Sequence, residues 1–448
     1  MRFVKEAGFT FITGILNFIL GLGASALLAR VLGPEGRGIY TLATLFASLI
    51  VAFGNLGVGP ATVYYIARGE FRRQEILGNN ILLASGVSAA GVLVGLMVIF
   101  LFGEKVFPKF PSGYLILALL LIPTEFFFSF VRYILLALQR IIWFNYVEIV
   151  RYGLFLGFAV LALIVFEAGV SGAIAATILS LFLIDALVFQ QAKTACGGVD
   201  FKINILYIKK AISYGIRAHL SNILGLLNYR ADLLIVNWFL GPAAVGFYSV
   251  GVGLVEKLWI ISHAASTVLF PRVAAESNEQ HRKEFTPLVT RTVLWATALG
   301  ALLLVLLSRW IVLTLYSEAF LPAVGALQAL LVGIITLSAG RVLANDIAGK
   351  GFPELNIYVG IVSVTVNIML NLLWVPRLGI IGAAWASTVS YTLAFMITLF
   401  LYCRLSGNQF TVVIFPQRGD WSVYWQVSAA FFGKFLRRVW NGKARIAR

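Results

Sequence analysis

Charge is what this chain has least of. Of its 448 residues only 12% are Asp, Glu, Lys or Arg, where a soluble domain carries about a quarter. With 60% of positions drawn from AVILMFWYC, a water-facing surface cannot be built for a chain this long. A soluble globular protein is excluded, and disordered and collagen-like chains go with it. Cysteine is scarce: Cys196 and Cys403 lie far apart without metal-like spacing, so no disulfide scaffold or thiol chemistry is indicated. The three histidines, His219, His263 and His281, form no HExxH or other metal pattern, and no Walker A run is present. ATP hydrolysis and zinc chemistry are therefore not expected, nor any cofactor. Strand-period alternation is missing too, which argues against a β-barrel.

What the chain has in abundance is long apolar runs. A bilayer-crossing helix needs about 20 mostly apolar residues. Such runs occur at 8–31, 38–65, 78–102, 114–138, 143–166, 169–191, 209–238, 243–271, 288–308, 321–347, 354–375 and 379–404, which predicts an all-α polytopic membrane protein of about twelve spans. The N-terminal stretch from Arg2 and Lys5 to Ala24-Ser25-Ala26 resembles a cleavable signal. Its apolar run continues through Leu27, Leu28, Val31 and Leu32, so an uncleaved first helix is expected.

The net charge of +16 is read as basic cytoplasmic loops rather than a nucleic-acid surface. With the N-terminus inside, one side collects about 22 of the 35 Lys and Arg and the other about six. Both termini are therefore expected in the cytoplasm, with no nucleic acid as partner.

An internal repeat is visible. Leu32-Gly33-Pro34, Gly38 and Tyr40 recur as Leu240-Gly241-Pro242, Gly246 and Tyr248, at an offset of 208. Gly169, Gly172, Ala173, Ala176 and Ser180 recur as Gly379, Gly382, Ala383, Ala386 and Ser390, at 210. Asn145 and Asn356 form a weaker third match. A Gly/Pro turn alone does not explain the shared order of the three. The expectation is two six-helix bundles, 1–200 and 201–406, related by a parallel repeat with an axis along the membrane normal. Residues 407–448 follow as a basic amphipathic tail on the cytoplasmic side, its Trp421, Trp425, Phe431, Trp440, Lys434, Arg437 and Arg438 suiting an anionic leaflet or a loosely ordered end.

The run Ala29-Arg30-Val31-Leu32-Gly33-Pro34-Glu35-Gly36-Arg37-Gly38-Ile39-Tyr40 resembles the opening signature of Wzx-type polysaccharide flippases. Tyr229-Arg230-Ala231-Asp232, Leu240-Gly241-Pro242 and Val245-Gly246-Phe247-Tyr248 are similar to the matching segment of that family's second half. The resemblance covers about residues 1–405. It implies the fold of the multidrug (MATE) and lipid II exporter superfamily, a V-shaped pair of six-helix bundles around a central cavity. The implied activity is moving an undecaprenyl-pyrophosphate-linked oligosaccharide across the cytoplasmic membrane for surface polysaccharide synthesis. Membrane lipids, a polymerase and a chain-length regulator are the implied partners, and a monomer would suffice.

An ionisable group at membrane depth is costly, so it faces a cavity or a partner. In the seventh span Arg217, Ser221, Gly225, Asn228 and Asp232 share an arc of about 80°, which suits a cavity wall. Thr10, Thr13, Gly14, Asn17 and Gly21 make a similar stripe in the first. The packing alternative is that such small and polar residues glue helices together. Arg132 and Arg341 occupy equivalent spans, and a basic residue from each half suits a pyrophosphate, or else each neutralises a nearby carboxylate. Arg217, Arg341, Arg132, Asn17 and Asn228 are thus the substrate-binding candidates, and Asp232 the ion-coupling candidate. Glu148 and Arg151, spaced i,i+3, are expected to neutralise one another. The adjacent Glu256 and Lys257 are expected to be neutralised more weakly, through other helices. Arg230, on the other face from Asp232, is expected to snorkel or pair with another helix. Arg37 is placed in an outer turn, away from the substrate. Gly54, Gly57, Gly59 and Pro60 are expected to break the second span and Pro271 the eighth.

Three rival functions are weighed at this point. A polysaccharide polymerase or ligase needs sizeable outer loops, and those near 103–113 and 309–320 are short. A multidrug cation antiporter needs cavity carboxylates, whereas intramembrane basic residues favour an anion. A lipid II flippase is disfavoured because no extra helix pair is visible.

Overall fold

The computed structural model describes residues 2–108, 110–262, 265, 279–417 and 419–420, with side chains described for all of these except 2–8, 11, 217, 218, 221 and 279–282. The chain is an all-α multi-pass membrane protein, with no strand among the described residues. Its helices are α1 (Arg2–Gly54), α2 (Val58–Arg68), α3 (Arg73–Val106), α4 (Ser112–Ala118), α5 (Leu121–Ala137), α6 (Ile141–Val160) and α7 (Gly169–Cys196). They continue as α8 (Ile205–Leu240), α9 (Pro242–Val255), α10 (Glu279–Leu315), α11 (Ala323–Gly349), α12 (Pro353–Ser406) and α13 (Phe410–Ile414). Ten helices among the described residues are long and apolar enough to cross a membrane. The expectation of twelve spans treats both arms of α1 and of α12 as separate crossings. Each of these helices bends at a glycine, Gly33 (φ 66°, ψ −177°) and Gly379 (φ 62°, ψ −145°).

Those two values lie where a side chain is not tolerated, so only glycine can turn the chain there. The matched positions behave alike. Gly241 adopts φ 85°, ψ 179° before Pro242, as Gly33 does before Pro34, and Gly169 at the start of α7 has φ 57°. The second expected break is found as well: α1 stops at Gly54, Leu56 and Gly57 take positive φ, and α2 starts at Val58. Pro271 and the aromatic-basic tail from Trp421 lie outside the described residues.

Two apolar cores organise the helices. One gathers α2, α3, α5 and α7, with Phe126, Phe130, Ile76 and Leu77 fully buried. It also takes in Tyr207 and Ala211 from the first turns of α8, where the Tyr207 hydroxyl donates to Asn80 Oδ1 at 2.8 Å. The other gathers α8, α9, α11 and α12 around Tyr248, Leu327 and Ala383. The second arm of α1 belongs to both. Ile39, Ala43 and Phe46 enter the first core, while Leu42 and Leu45 enter the second.

The two cores come together closely where α1 packs against α9. A Cβ on Gly38 would lie 1.7 Å from the carbonyl oxygen of Pro242, and one on Gly246 would lie 1.9 Å from that of Pro34. Each repeat motif thus presses its glycine on the proline of the other. Arg30 adds a link, its Nε donating to the Leu315 carbonyl at 2.9 Å at the C-terminal end of α10, where free carbonyls favour a cation. Further along α1 a second contact forms. A Cβ on Gly57 would lie 2.3 Å from the Gly215 carbonyl oxygen, and His219 Nε2 donates to the Phe53 carbonyl at 3.1 Å.

Candidate functional site

Between these two contacts a cavity of about 410 Å³ opens. Its walls come from α1, α5, α6 and α7 on one side and α8 and α9 on the other. Near the glycine crossing, Thr41 Oγ1 donates to Ser249 Oγ at 3.5 Å, a pair related by the same 208-residue offset.

The lining carries three guanidinium groups, Arg37, Arg151 and Arg230, against two carboxylates, Glu125 and Glu256. Each wall holds one ion pair. On the first, Arg151 Nη2 lies 2.6 Å from Glu125 Oε1, bridging α6 to α5. On the second, Arg230 meets Glu256 with both nitrogens, at 2.8 and 3.1 Å, bridging α8 to the turn after α9. Arg37 has no such carboxylate among the described residues. Its Nη2 reaches Ser25 Oγ at 3.3 Å, and its Nε is buried without a hydrogen-bond partner. A buried donor left unmade is costly, and this one belongs to a group lining a cavity. With two arginines matched and one in excess, the cavity suits an anion that takes up the spare donors.

The sequence-predicted candidates lie elsewhere. Arg132 pairs with Glu148, and its guanidinium sits 3.8 Å from the centroid of the Phe144 ring. The expected Glu148–Arg151 pairing is therefore corrected: each residue takes its partner from α5 instead, because residues on facing helices approach more closely than i,i+3 side chains aimed the same way. Glu256 is neutralised from another helix, by Arg230 of α8. Arg341 lies 4.1 Å from the ring centroid of Trp259, and with Asn228 it lines a separate recess of about 190 Å³ inside the second half. Arg132 and Arg341 are thus not brought together.

The described part of the polar stripe of the seventh span, Gly225, Asn228 and Asp232, does not line the central cavity. Gly225 and Asn228 line the inner recess, and Asn228 exchanges hydrogen bonds with Ser363 (3.0 Å) and Ser390 (3.1 Å). Asp232, 2% exposed, accepts from Tyr248 (2.6 Å), Ser387 (3.2 Å) and the Leu233 amide (2.8 Å). It is Arg230 and Leu233, on another face of α8, that reach the cavity. The side chains of Arg217 and Ser221 lie outside those described. In α1, Thr10 accepts from Asn145 at 2.8 Å, and Asn17 carries a buried Oδ1 without a partner. Neither lines the cavity, so this stripe turns toward α6.

Sequence reasoning passed over Arg37 as a residue of an outer turn. The available signal was its place four residues after Gly33: the chain re-enters a helix at Pro34, so Arg37 already stands one turn inside it.

Residues 3–275 match the sequence profile of a family described as "Polysaccharide biosynthesis protein". An uncharacterized membrane protein of Methanocaldococcus jannaschii is 24% identical over 207 residues, 45% of this chain and 41% of that one. A putative O-antigen transporter of Shigella flexneri is 25% identical over 243 residues, 53% of this chain and 56% of that one. The matches thus span about half the length of these relatives. Among solved structures, the lipid II flippase MurJ in an inward closed conformation superposes with a TM-score of 0.77 at 15% identity, covering 95% of this chain and 99% of that one. An inward-facing multidrug resistance MATE family transporter of the MOP superfamily gives 0.73 at 17%, covering 87% and 94%. At these identities the likeness is one of fold.

Proposed function

Because this chain belongs to the polysaccharide biosynthesis protein family, we propose that it translocates an undecaprenyl-pyrophosphate-linked oligosaccharide across the cytoplasmic membrane. The observation that carries this reading is the cavity between the two halves, with three arginines against two glutamates and a buried Arg37 donor to spare. An anionic head group crossing the apolar core bare would pay a prohibitive desolvation cost. Arginines already held in place by carboxylates replace its water at lower cost. Their planar forks suit phosphate oxygens.

A multidrug cation antiporter is the second reading, since two carboxylates do face the cavity. Each of them is matched by its own arginine, so neither is left to attract a cation. Arg341 and Asn228, in the inner recess, remain candidates for a sugar or ion contact. Arg132 is assigned to hold α5 against α6. Export would hand the substrate to a polymerase and a chain-length regulator, with one copy of this chain sufficing.

Asp232 is proposed to couple an ion to the cycle. Three neutral donors surround its carboxylate, and no basic side chain pairs with it among the described residues. A carboxylate buried this way gains much from a proton or a small cation. Asp232→Asn is expected to impair export while leaving membrane insertion intact, measured as precursor flipping at matched protein levels. Wild-type export by that variant would reduce Asp232 to a packing residue.

Orientation is testable separately. Cysteines placed near residues 70, 198 and 280 are expected to react from the cytoplasmic side, and those near 107 and 315 from the outer side. Inverted labelling at two of these sites would overturn the inside placement of both termini.

A further inference from the structure

Behind the charged cavity lies a second hollow of opposite character. It measures about 500 Å³, and every residue lining it is apolar or glycine. Its walls are α1, from Phe46 to Gly54, and α3, from Val87 to Val106, closed by Phe126 of α5 and Leu234 of α8. The stretch of α3 involved covers nineteen helical steps, about 28 Å at 1.5 Å per residue, close to the full hydrocarbon thickness of a bilayer of about 30 Å. So modest a volume spread along such a length makes a narrow slot rather than a compact pocket. It opens sideways to the membrane, with Phe53 50% and Val94 47% exposed.

The slot and the cavity share two partitions. Along α1, Leu45, Ala47 and Ser48 face the cavity, while Phe46, Leu49 and Ile50 face the slot. On α8, Leu233 faces one and Leu234 the other. An amphiphile with its charged head in the cavity can therefore lay a tail in the slot by passing around one helix. A rigid or polar ligand has nothing to bind there, whereas a long flexible hydrocarbon chain finds continuous apolar contact.

We propose that this slot holds the polyisoprenoid chain of the transported lipid while its pyrophosphate occupies the arginine cavity. The proposal rests on the reading of the substrate given above and adds a tail site to it. It makes α1, through its second arm, the partition between the two parts of the ligand. Movement of that arm against α9 then carries head and tail together.

The test uses the full-length protein in phospholipid vesicles with two photoreactive probes. Both are long-chain polyprenyl diphosphates, one bearing a diazirine along the tail and one beside the diphosphate. A diazirine-bearing phosphatidylcholine serves as the reference. The tail probe is expected to label the slot-lining parts of α1 and α3, and unlabelled polyprenyl diphosphate, but not added phospholipid, should compete. Val94→Trp and Ala90→Phe, both at exposed slot positions, should each lower that labelling about tenfold, equivalent to losing roughly two buried methylenes of contact. Leu299→Trp, on a lipid-exposed face of α10, should leave it unchanged, with elution and melting behaviour confirming that all three variants fold. If the phosphatidylcholine probe labels the slot equally, ordinary membrane lipid fills it and the tail site is wrong. If the head probe labels the cavity while the tail probe labels other faces, the tail site fails and the transport reading stands. If neither probe labels the protein, both fall.

Discussion

Arg37→Ala is expected to cut export of the lipid-linked precursor about ten- to a hundredfold, on the scale of 1.5–3 kcal/mol for a hydrogen bond to a charged group at 1.4 kcal/mol per tenfold. Arg151 and Arg230 each hold a glutamate, so part of their charge is already engaged. Arg37 has a hydroxyl and an unused buried Nε. A phosphate entering the cavity would meet the Arg37 guanidinium without competing with a carboxylate for it, so the gain on binding should be largest here. Arg37→Lys should recover part of the activity, because the charge survives while the fork does not. Arg132→Ala offers a contrast. It leaves Glu148 without its partner inside the first half, so its effect should appear first in protein yield and thermal stability. The measurement is surface polysaccharide together with precursor on the inner leaflet, at matched membrane levels. Normal export by Arg37→Ala would move the substrate's head group away from this cavity.

How far the sequence could reach follows from what each residue type reports. Long apolar runs state that a helix crosses lipid, because composition alone decides that. Glycine before proline states that the chain turns, and Gly33 and Gly241 do turn it, with the same backbone conformation. Helix facing is a different matter. A polar arc shows that a helix has a distinct face but not which neighbour that face meets, so the arc of α8 is expected at the central cavity, whereas Asn228 and Asp232 meet Ser363, Ser387 and Ser390 of α12. The charged pairs misled for a related reason. Spacing along one helix names local partners, but Arg151 and Glu148 sit against α5 and are claimed by Glu125 and Arg132. Arg230 is the exception: lying off the polar arc, it is expected either to snorkel or to pair with another helix, and it takes the second course, with Glu256. Which helices face each other is a property of the packed bundle, and no local spacing encodes it.

The glycine crossing should give the other large effect. A Cβ at Gly38 would sit 1.7 Å from the Pro242 carbonyl oxygen, and one at Gly246 would sit 1.9 Å from that of Pro34, whereas a Cα–H contact to a carbonyl oxygen normally spans about 3.3–3.6 Å from carbon to oxygen. The obstacle in each case is backbone, which cannot rotate aside as a side chain would. α1 and α9 must therefore separate by more than an ångström wherever a side chain is added, and small residues are what permit the observed approach. Because the cavity begins beside this crossing, at Arg37 on α1 and Ser249 on α9, separating the helices opens the cavity at that end. Gly38→Val and Gly246→Val are each expected to abolish export and to expose the cavity there. A Ser249→Cys reporter should then react with a membrane-impermeant maleimide at least about tenfold faster than in the otherwise native chain, since a loss of only 1.4 kcal/mol in closure shifts the open population that far. Gly38→Ala and Gly246→Ala, the smallest additions, should show the same direction and keep more folded protein. The reciprocal arrangement adds a stricter requirement. Since each glycine meets the proline of the other repeat, the two single variants should resemble one another closely, and combining them should add little once the helices have parted. Full export and an unreactive Ser249→Cys in either valine variant would show that α1 and α9 do not form the seal at this end of the cavity.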